Sequence, residues 1–429
     1  MASAELRQRK TNDIGLTNGT SVQSEFTPSE KHPVGKPKHG LAMQVLRIAV
    51  FSVYFFFFCF TIHFSQLLGL PIRLYSEDWY RAWIAVTKQY FGILITNITK
   101  IFAPTTVRVS GDQSVAGQLK QGRDGQIRMH FPERIVYIAN HQLYTDWLYM
   151  WWAAYTNDPA MHGHIYIILK ASLKWTPLIG PAMQLYDFIF MERKWAEDEA
   201  NMRRNLHKLN TRYSAPLATS QGTKQLDPMW LLIFPEGTNL TQNERNKSAE
   251  FSKKRGWPDF KHMVVPRIKG LQLCLQELKN SVEYLYDCTI AYEGVPPGGY
   301  GSEIFTLRSV YFQGRPPKSV NMHWRRYRVA DLPLDDHDKM FDWIMARWRE
   351  KDEIIEHFMR EGKFPGEVSA VDIEGGPQDE FKTPYISTQV ESRYTLEFAQ
   401  ILLPLATAAL VGRVLVQLVD RLVGTASLF

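Results

Sequence analysis

The stretch that decides the fold runs from residue 135 to residue 147 and reads IVYIANHQLYTDW. Its first five residues form a short apolar run, which is typical of a buried strand. The polar pair Asn140 and His141 follows at once, and a helical pattern begins at Asp146. The sequence therefore predicts a strand that ends in a polar turn and leads into a helix.

Short apolar runs alternate with helical patterns from residue 107 to residue 329. The candidate strands are Ile135–Ala139, Ile165–Leu169, Asp187–Met191, Trp230–Phe234, Cys288–Tyr292 and Val320–Trp324. Amphipathic helices fill the gaps, for example Asp146–Tyr155 and Lys269–Leu278. This alternation predicts an α/β fold with a mostly parallel sheet flanked by helices.

The pair most suggestive of chemistry is His141 and Asp146, which lie five residues apart. Inside a regular helix this spacing would turn the two side chains about 140° apart, so they can meet only around a turn. A carboxylate beside His Nδ1 fixes the tautomer and leaves Nε2 as a base. The spacing by itself is weak, because His337 and Asp342 share it inside a charged helical segment. A purely structural histidine stays open as the alternative.

Three further polar motifs follow in chain order. They are FMER at 190–193, FPEGT at 234–238 and VPR at 265–267. The first two follow candidate strands, which is where open α/β sheets bind ligands, and the third could join them. Each motif alone fits an ordinary turn or a surface ion pair. The ordered set is what predicts a site.

Three segments suggest contact with a membrane. The run from Ile48 to Leu70 has 23 residues and no Asp, Glu, Lys or Arg. As a helix it would measure about 34 Å, enough to cross a bilayer core of about 30 Å, although a buried core helix is the alternative. The amphipathic segment from Asp78 to Phe102 predicts a second leg of a hairpin. The segment from Phe398 to Val419, with Arg413 as its only charge, predicts a helix that spans or lies on the membrane.

These patterns divide the chain into six parts. The predicted parts are a disordered tail (1–40), N-terminal membrane segments (41–104), an α/β catalytic domain (105–330), a charged amphipathic helix (331–365), a linker (366–392) and a C-terminal membrane-associated helix (393–429). The tail is polar and basic, which places it on the cytosolic side.

Composition narrows the class of protein. Among 429 residues, 45% are apolar and 22% are charged, which excludes wholesale disorder. The mean hydropathy of −0.26 excludes a polytopic transporter. The three cysteines form no CxxC pair, so neither a disulfide framework nor a thiolate metal site is predicted. The net charge of +6 fits an anionic membrane surface or a phosphorylated ligand better than nucleic acid, because the basic residues are dispersed.

In its motifs the chain resembles the glycerolipid acyltransferase family, which contains the 1-acylglycerol-3-phosphate acyltransferases. The resemblance is carried by Asn-His-x4-Asp at 140–146, the Arg-bearing block at 190–193, FPEGT at 234–238 and Val-Pro at 265–266. It covers about residues 130–300. Further stretches, YDCTIAY at 286–292 and VNMHWRRY at 320–327, resemble a subgroup with the lysocardiolipin and the fungal lysophosphatidylinositol acyltransferases.

The resemblance implies a membrane-bound enzyme that moves a fatty acyl group from acyl-CoA to the free glycerol hydroxyl of a lysophospholipid. His141 would take the proton from that hydroxyl, Asp146 would orient His141, and Arg193 would hold the lipid phosphate. The other implied substrate-binding residues are Asn140, Glu236, Gly237, Thr238, Pro266 and Arg267. A thioester is already activated, so the implied reaction uses no metal, and acyl-CoA is a co-substrate rather than a cofactor.

The acceptor implied is lysophosphatidylinositol, lysophosphatidic acid or a lysocardiolipin-like lipid. Because acyl-CoA is cytosolic, the expected location is the endoplasmic reticulum membrane with the catalytic domain facing the cytosol. Protein partners are not predicted. Two other functions stay open: a lipid or acyl-CoA hydrolase that uses the same dyad, and a non-catalytic membrane scaffold that binds lipid.

Overall fold

The computed structural model describes residues 32–192, 194–213, 225–374 and 383–426. Most of the predicted tail at 1–40 lies outside these residues. The helices are α1 (Leu41–Leu68), α2 (Leu70–Tyr75), α3 (Glu77–Phe102), α4 (Asp146–Thr156), α5 (Ile179–Leu185), α6 (Trp195–Leu209), α7 (Gln242–Arg255), α8 (Ile268–Leu278), α9 (Gly301–Ile304), α10 (His337–Glu361) and α11 (Leu403–Ala426).

The strands are β1 (Thr106–Gly111), β2 (Leu119–Gln121), β3 (Ile127–Met129), β4 (Arg134–Ala139), β5 (Ile165–Lys170), β6 (Ile189–Met191), β7 (Arg212–Tyr213), β8 (Gln225–Leu226), β9 (Met229–Ile233), β10 (Tyr284–Tyr292), β11 (Ser319–Arg328), β12 (Val371–Ile373) and β13 (Tyr385–Gln389). All six predicted strands are present, as β4, β5, β6, β9, β10 and β11.

The main sheet has the strand order β13–β1–β11–β10–β4–β9–β5–β6. Its neighbouring strands run parallel, except for the antiparallel pairs β1–β13 and β10–β11. Helices cover both faces. The predicted α/β fold with a mostly parallel sheet is therefore confirmed.

Strand β4 lies at the centre of the sheet and contributes side chains to the hydrophobic cores on both faces. Ile135, Tyr137 and Ala139 belong to the core that also contains residues of α3 and α4. Val136 and Ile138 belong to the core on the other face, with residues of α8 and α10. Because side chains alternate across a strand and both faces are covered, the strand carries no charged or small polar residue from Ile135 to Ala139.

The N-terminal helices α1 and α3 form an antiparallel hairpin, as predicted. The Trp83 indole donates to the Ser65 carbonyl at 2.8 Å near the tip of the hairpin. At its open end the Arg47 guanidinium donates to the Phe102 carbonyl at 2.7 Å. The two legs differ in environment: α1 exposes apolar side chains such as Phe60, whereas α3 is largely buried against α1 and α4.

Two helical segments are long and apolar enough to cross a membrane, at 41–75 and 397–419. The second comprises a 3-10 turn and most of α11, and it packs beside α1, where the rings of Phe58 and Phe398 lie 6.1 Å apart. The second leg of the hairpin, α3, is not among the candidate spans within the described residues. Its buried Lys88 and other charges explain why.

The segment predicted as a linker, 366–392, differs from that prediction in the structure. Its described residues include β12, which pairs with β2, and β13, which extends the main sheet beside β1. In β13 the side chains of Ile386 and Thr388 are buried, whereas Ser387 and Gln389 are exposed. A five-residue edge strand with polar residues gives only a weak sequence signal, because its pairing with a distant β1 supplies most of its stability.

Candidate functional site

The predicted functional motifs meet at one edge of the sheet. Strands β4, β9, β5, β6 and β10 all run in the same direction, so their carboxyl ends lie at the same edge. His141 comes two residues after β4, the FPEGT loop at 234–238 follows β9, and β10 ends at Tyr292. This edge is where an open parallel sheet binds its ligands.

His141 and Asp146 form a hydrogen-bonded pair. Nδ1 of His141 lies 2.8 Å from Oδ2 of Asp146. Asp146 is the first residue of α4 and is fully buried, whereas the His141 side chain keeps 19% of its surface exposed. With Nδ1 held by the carboxylate, Nε2 is the ring nitrogen left for a reacting group. The strand–turn–helix geometry on which the sequence argument depended is present.

Two further groups hold the Asp146 carboxylate. The backbone N–H of Leu143 donates to Oδ2 at 2.9 Å, and the Tyr292 hydroxyl donates to Oδ1 at 2.5 Å. Burial raises the pKa of Tyr292 well above its ordinary value, so the phenol keeps its proton and remains a donor. Sequence reasoning missed Tyr292 as a site residue. Its only signal was its position at the end of the 286–292 stretch.

Tyr292→Phe is expected to lower kcat/KM by roughly tenfold or more for any reaction in which His141 acts as the base. It removes one charge-assisted hydrogen bond to Asp146, and such bonds contribute about 1.5–3 kcal/mol. Steady-state kinetics with the purified variant checks this. Tyr149→Phe is the control, because its ring lies 6.2 Å from that of Tyr292 but its hydroxyl is held by Thr105. Equal rates for the two variants would contradict a role for Tyr292 in positioning.

The FPEGT loop and the adjoining Leu240 contact His141. The Phe234 ring stacks on the imidazole with 4.3 Å between centroids, and the Leu240 N–H donates to the His141 carbonyl at 2.7 Å. Gly237 has φ +68°, which favours glycine at this turn. The loop thereby fixes both the ring and the backbone of His141.

Asn140 occupies a structural position instead of the predicted substrate contact. Its side chain is fully buried, and its amide donates to the Ile290 carbonyl at 2.9 Å and accepts from the Ile290 N–H at 2.8 Å. These bonds tie the end of β4 to β10. Asn140 thus positions the turn that carries His141.

Glu236 is buried beside the pair. Its side chain is 2% exposed, and neither carboxyl oxygen makes a well-formed hydrogen bond within the described part of the chain. Burial raises the pKa of Glu236 well above its ordinary value of 4.5, although the adjacent His141 backbone and the Lys351 charge oppose the rise. Burial therefore favours the protonated form of the Glu236 carboxyl group.

Glu236→Gln is expected to remove a pH-dependent loss of stability. A carboxyl group whose pKa is raised in the folded state binds a proton that the unfolded chain releases, so stability falls as pH rises above about 4.5. Within that window the loss is about 1.4 kcal/mol per pH unit. Thermal unfolding of both proteins between about pH 5 and pH 8 checks this. The wild-type melting temperature should fall relative to that of the Gln variant as pH rises, whereas Glu250→Gln, at an exposed position, should follow the wild type. Parallel curves for the wild type and Glu236→Gln would contradict a raised pKa of Glu236.

Several of the predicted substrate-binding residues line a cleft next to the FPEGT loop. Glu236, Thr238, Pro266 and Arg267 line a cavity of about 650 Å³. The Arg267 N–H donates to the Pro235 carbonyl at 2.7 Å, which joins the VPR block to the FPEGT loop. A Cβ at Gly237 would lie 3.5 Å from the Arg267 side chain, so the two residues are in close contact. Arg193 lies outside the described residues.

A buried ionic cluster lies under the site, and sequence reasoning did not predict it. Asp287 on β10 pairs with Lys351 of α10 and with Arg325 of β11, the latter at 2.9 Å. Lys351 also donates to the Cys288 carbonyl at 2.7 Å. Burial alone would raise the pKa of Asp287, but the two cations outweigh it and lower that pKa. Through Lys351, the cluster connects α10 to β10, the strand that ends at Tyr292.

Comparison with known protein families agrees with the motifs. The family model described as Acyltransferase matches residues 108–266, and the model described as Acyltransferase C-terminus matches residues 311–392. The first match contains the His141–Asp146 pair and the FPEGT loop. The second contains α10, which supplies Lys351, and β13.

Several curated proteins are similar to this chain over most of their length. An uncharacterized acyltransferase of Schizosaccharomyces pombe is 37% identical over 323 residues, covering 75% of this chain and 85% of the relative. The 2-acyl-1-lysophosphatidylinositol acyltransferase of Saccharomyces cerevisiae is 36% identical over 354 residues, covering 76% and 87%. The lysocardiolipin acyltransferase 1 of Gallus gallus is 29% identical over 302 residues, covering 68% of each chain.

Proposed function

The chain belongs to the 1-acyl-sn-glycerol-3-phosphate acyltransferase family, and we propose that it transfers a fatty acyl group from acyl-CoA to the free glycerol hydroxyl of a lysophospholipid. The observation that carries this proposal is the 2.8 Å contact between His141 and Asp146 at the carboxyl edge of the sheet. The pair supplies a base, and a thioester donor already provides an activated acyl group.

In the proposed reaction Nε2 of His141 accepts the proton of the glycerol hydroxyl as that oxygen attacks the thioester carbonyl. A new C–O bond forms, the C–S bond breaks, and the leaving CoA thiolate takes the proton back from His141. Asp146, held by Tyr292 and Leu143, stabilises the imidazolium that forms in between. The products are a diacyl phospholipid and free CoA.

The acceptor is proposed to be an anionic lysophospholipid. The Saccharomyces cerevisiae relative is named for lysophosphatidylinositol and the Gallus gallus relative for lysocardiolipin. Lysophosphatidic acid is the third acceptor of this class. Arg193 is proposed to hold its phosphate, and Glu236, Gly237 and Thr238 are proposed to line the acceptor site. Pro266 is proposed to shape the VPR block, and Arg267 to be a further phosphate or CoA contact.

The enzyme is proposed to act at the endoplasmic reticulum membrane with this site facing the cytosol. The exposed apolar surface of α1 and α11, the two candidate spans, supports the membrane association. The cytosolic orientation rests on the proposed acyl-CoA donor, which is cytosolic. Asn239, in a glycosylation sequon, lies next to the Leu240 contact with His141. A glycan on Asn239 in cells would contradict the cytosolic orientation.

A panel of lysophospholipids and acyl-CoAs, incubated with the purified full-length protein, tests the proposal. The expected result is diacyl phospholipid and free CoA in equal amounts. Free fatty acid without diacyl product would instead indicate a hydrolase that uses the same pair. Absence of turnover with every donor would favour a non-catalytic lipid-binding scaffold.

A further inference from the structure

The cleft of about 650 Å³ shares a loop with the catalytic pair. Glu236 and Thr238 line it, and the same loop contacts His141 through Phe234 and Leu240. The other walls come from α7 and from the first residues of α8 and α10. A ligand in the cleft therefore lies beside the site of acyl transfer, and the cavity volume falls within the range of about 300–1,000 Å³ of small-molecule sites.

The walls of the cleft are predominantly basic. Four cationic side chains line it, from α7, from the VPR block and from α8: Lys247, Arg255, Arg267 and Lys269. The acidic lining residues are Glu244, Asp338 and Glu236, which are fewer than the cations, and burial raises the pKa of Glu236. The balance of charge thus favours a ligand with more than one negative charge.

Most of these cations are available to a ligand. Lys247 pairs with Glu244 at 2.6 Å. Arg255, Arg267 and Lys269 are exposed and form no ion pair within the described ranges of the chain. Guanidinium groups bind phosphate through two parallel hydrogen bonds, whereas an ammonium group acts as a point charge. Two guanidinium groups and one ammonium group around one cleft therefore suit a ligand that carries several phosphates.

One wall of the cleft is aromatic. The Arg255 guanidinium carbon lies 5.7 Å from the centre of the Phe251 ring and 5.9 Å from that of Trp257. Phe341 from α10 contacts Trp257 with 4.8 Å between ring centroids. Aromatic side chains next to an arginine form a surface on which a purine base can stack.

Helix α7 presents these groups on one fixed face. Thr241 caps its N-terminus, with its hydroxyl accepting from the Glu244 N–H at 3.2 Å, and Gly256, with φ +68°, caps its C-terminus. Positions 247, 251 and 255 are four residues apart and so lie on the same side of the helix. Lys253 carries the same charge on the same helix but lies outside this face, and it does not line the cleft.

We propose that this cleft binds the nucleotide end of acyl-CoA, the 3′-phosphorylated adenosine diphosphate, with its phosphates on Arg255, Arg267 and Lys269 and its adenine against the aromatic wall. The inference rests on the proposed acyl-CoA donor. A lysophospholipid head group also carries phosphate but has no aromatic base, and the aromatic wall favours the nucleotide.

Direct binding tests the site without any need for turnover. Adenosine 3′,5′-bisphosphate and CoA are titrated calorimetrically into the purified full-length protein. Arg255→Ala and Lys269→Ala, on two different elements, should each raise the dissociation constant for both probes roughly tenfold or more. Lys253→Ala should bind as the wild type does, and equal melting temperatures show that all variants are folded. Unchanged binding in the Arg255→Ala/Lys269→Ala double variant would overturn the assignment.

Kinetic measurements distinguish the two candidate ligands of the cleft, the nucleotide of acyl-CoA and the head group of the lysophospholipid. The double variant should raise KM for acyl-CoA and leave KM for the lysophospholipid unchanged. With an acyl-pantetheine donor, which lacks the nucleotide, wild type and double variant should have equal rates. A rise confined to the KM of the lysophospholipid would overturn the nucleotide assignment. If the protein bound CoA in this cleft but transferred no acyl group, the proposed function would be contradicted and the proposed binding site would be supported.

Discussion

His141→Ala is expected to lower the rate of acyl transfer by about 10²–10⁴-fold, the usual contribution of a general base. The variant has no group that can accept the proton of the attacking hydroxyl. It should leave KM for acyl-CoA nearly unchanged, because the nucleotide cleft lies on the neighbouring loop. The measurement is kcat with acyl-CoA and the best lysophospholipid acceptor, in purified protein.

His207→Ala is the matched control, since His207 is an exposed histidine on α6. It should keep the wild-type rate. Asp146→Asn should lose nearly as much activity as His141→Ala, because an amide at this position can stabilise the wrong imidazole tautomer. A His141→Ala variant that retains near-wild-type transfer would exclude the general-base mechanism.

Asp287→Ala is expected to lower the free energy of unfolding by about 3–5 kcal/mol, as breaking a buried ion pair from one side does. The change leaves Lys351 and Arg325 buried without their shared carboxylate. It also loosens α10 from β10, the strand that ends at Tyr292. A lower melting temperature in detergent, together with lower activity, is the expected readout.

Glu350→Ala is the matched control for this cluster. Glu350 pairs with Arg325 at 2.8 Å, but its side chain is 40% exposed. Exposed ion pairs contribute roughly 0–1 kcal/mol, so this variant should melt close to the wild type. If Asp287→Ala melted no lower than Glu350→Ala, the buried cluster would not be a significant source of stability.

The central strands and the contact between His141 and Asp146 could be predicted because their signals are local. Both faces of strand β4 are covered, so its residues Ile135–Ala139 form a continuous apolar run that is visible in the sequence. His141 and Asp146 are five residues apart, and the end of a strand followed by the start of a helix is enough to bring them together. The motifs after β9 and near α8 meet the pair because parallel strands place their carboxyl ends at one edge.

Only the tertiary structure decided which distant residues support that pair. Tyr292 lies 146 positions from Asp146, and Lys351 lies 64 positions from Asp287. Asn140 stands in a predicted motif, yet its amide holds Ile290, 150 positions away. The edge strand β13 depends on pairing with β1, which lies far earlier in the chain. The sequence by itself determined the α/β sheet, the apolar helices and the His141–Asp146 contact, because each depends on neighbouring residues. The hydroxyl that orients Asp146, the buried charges and the basic cleft depend on contacts between segments far apart in the chain, and no local pattern encodes those.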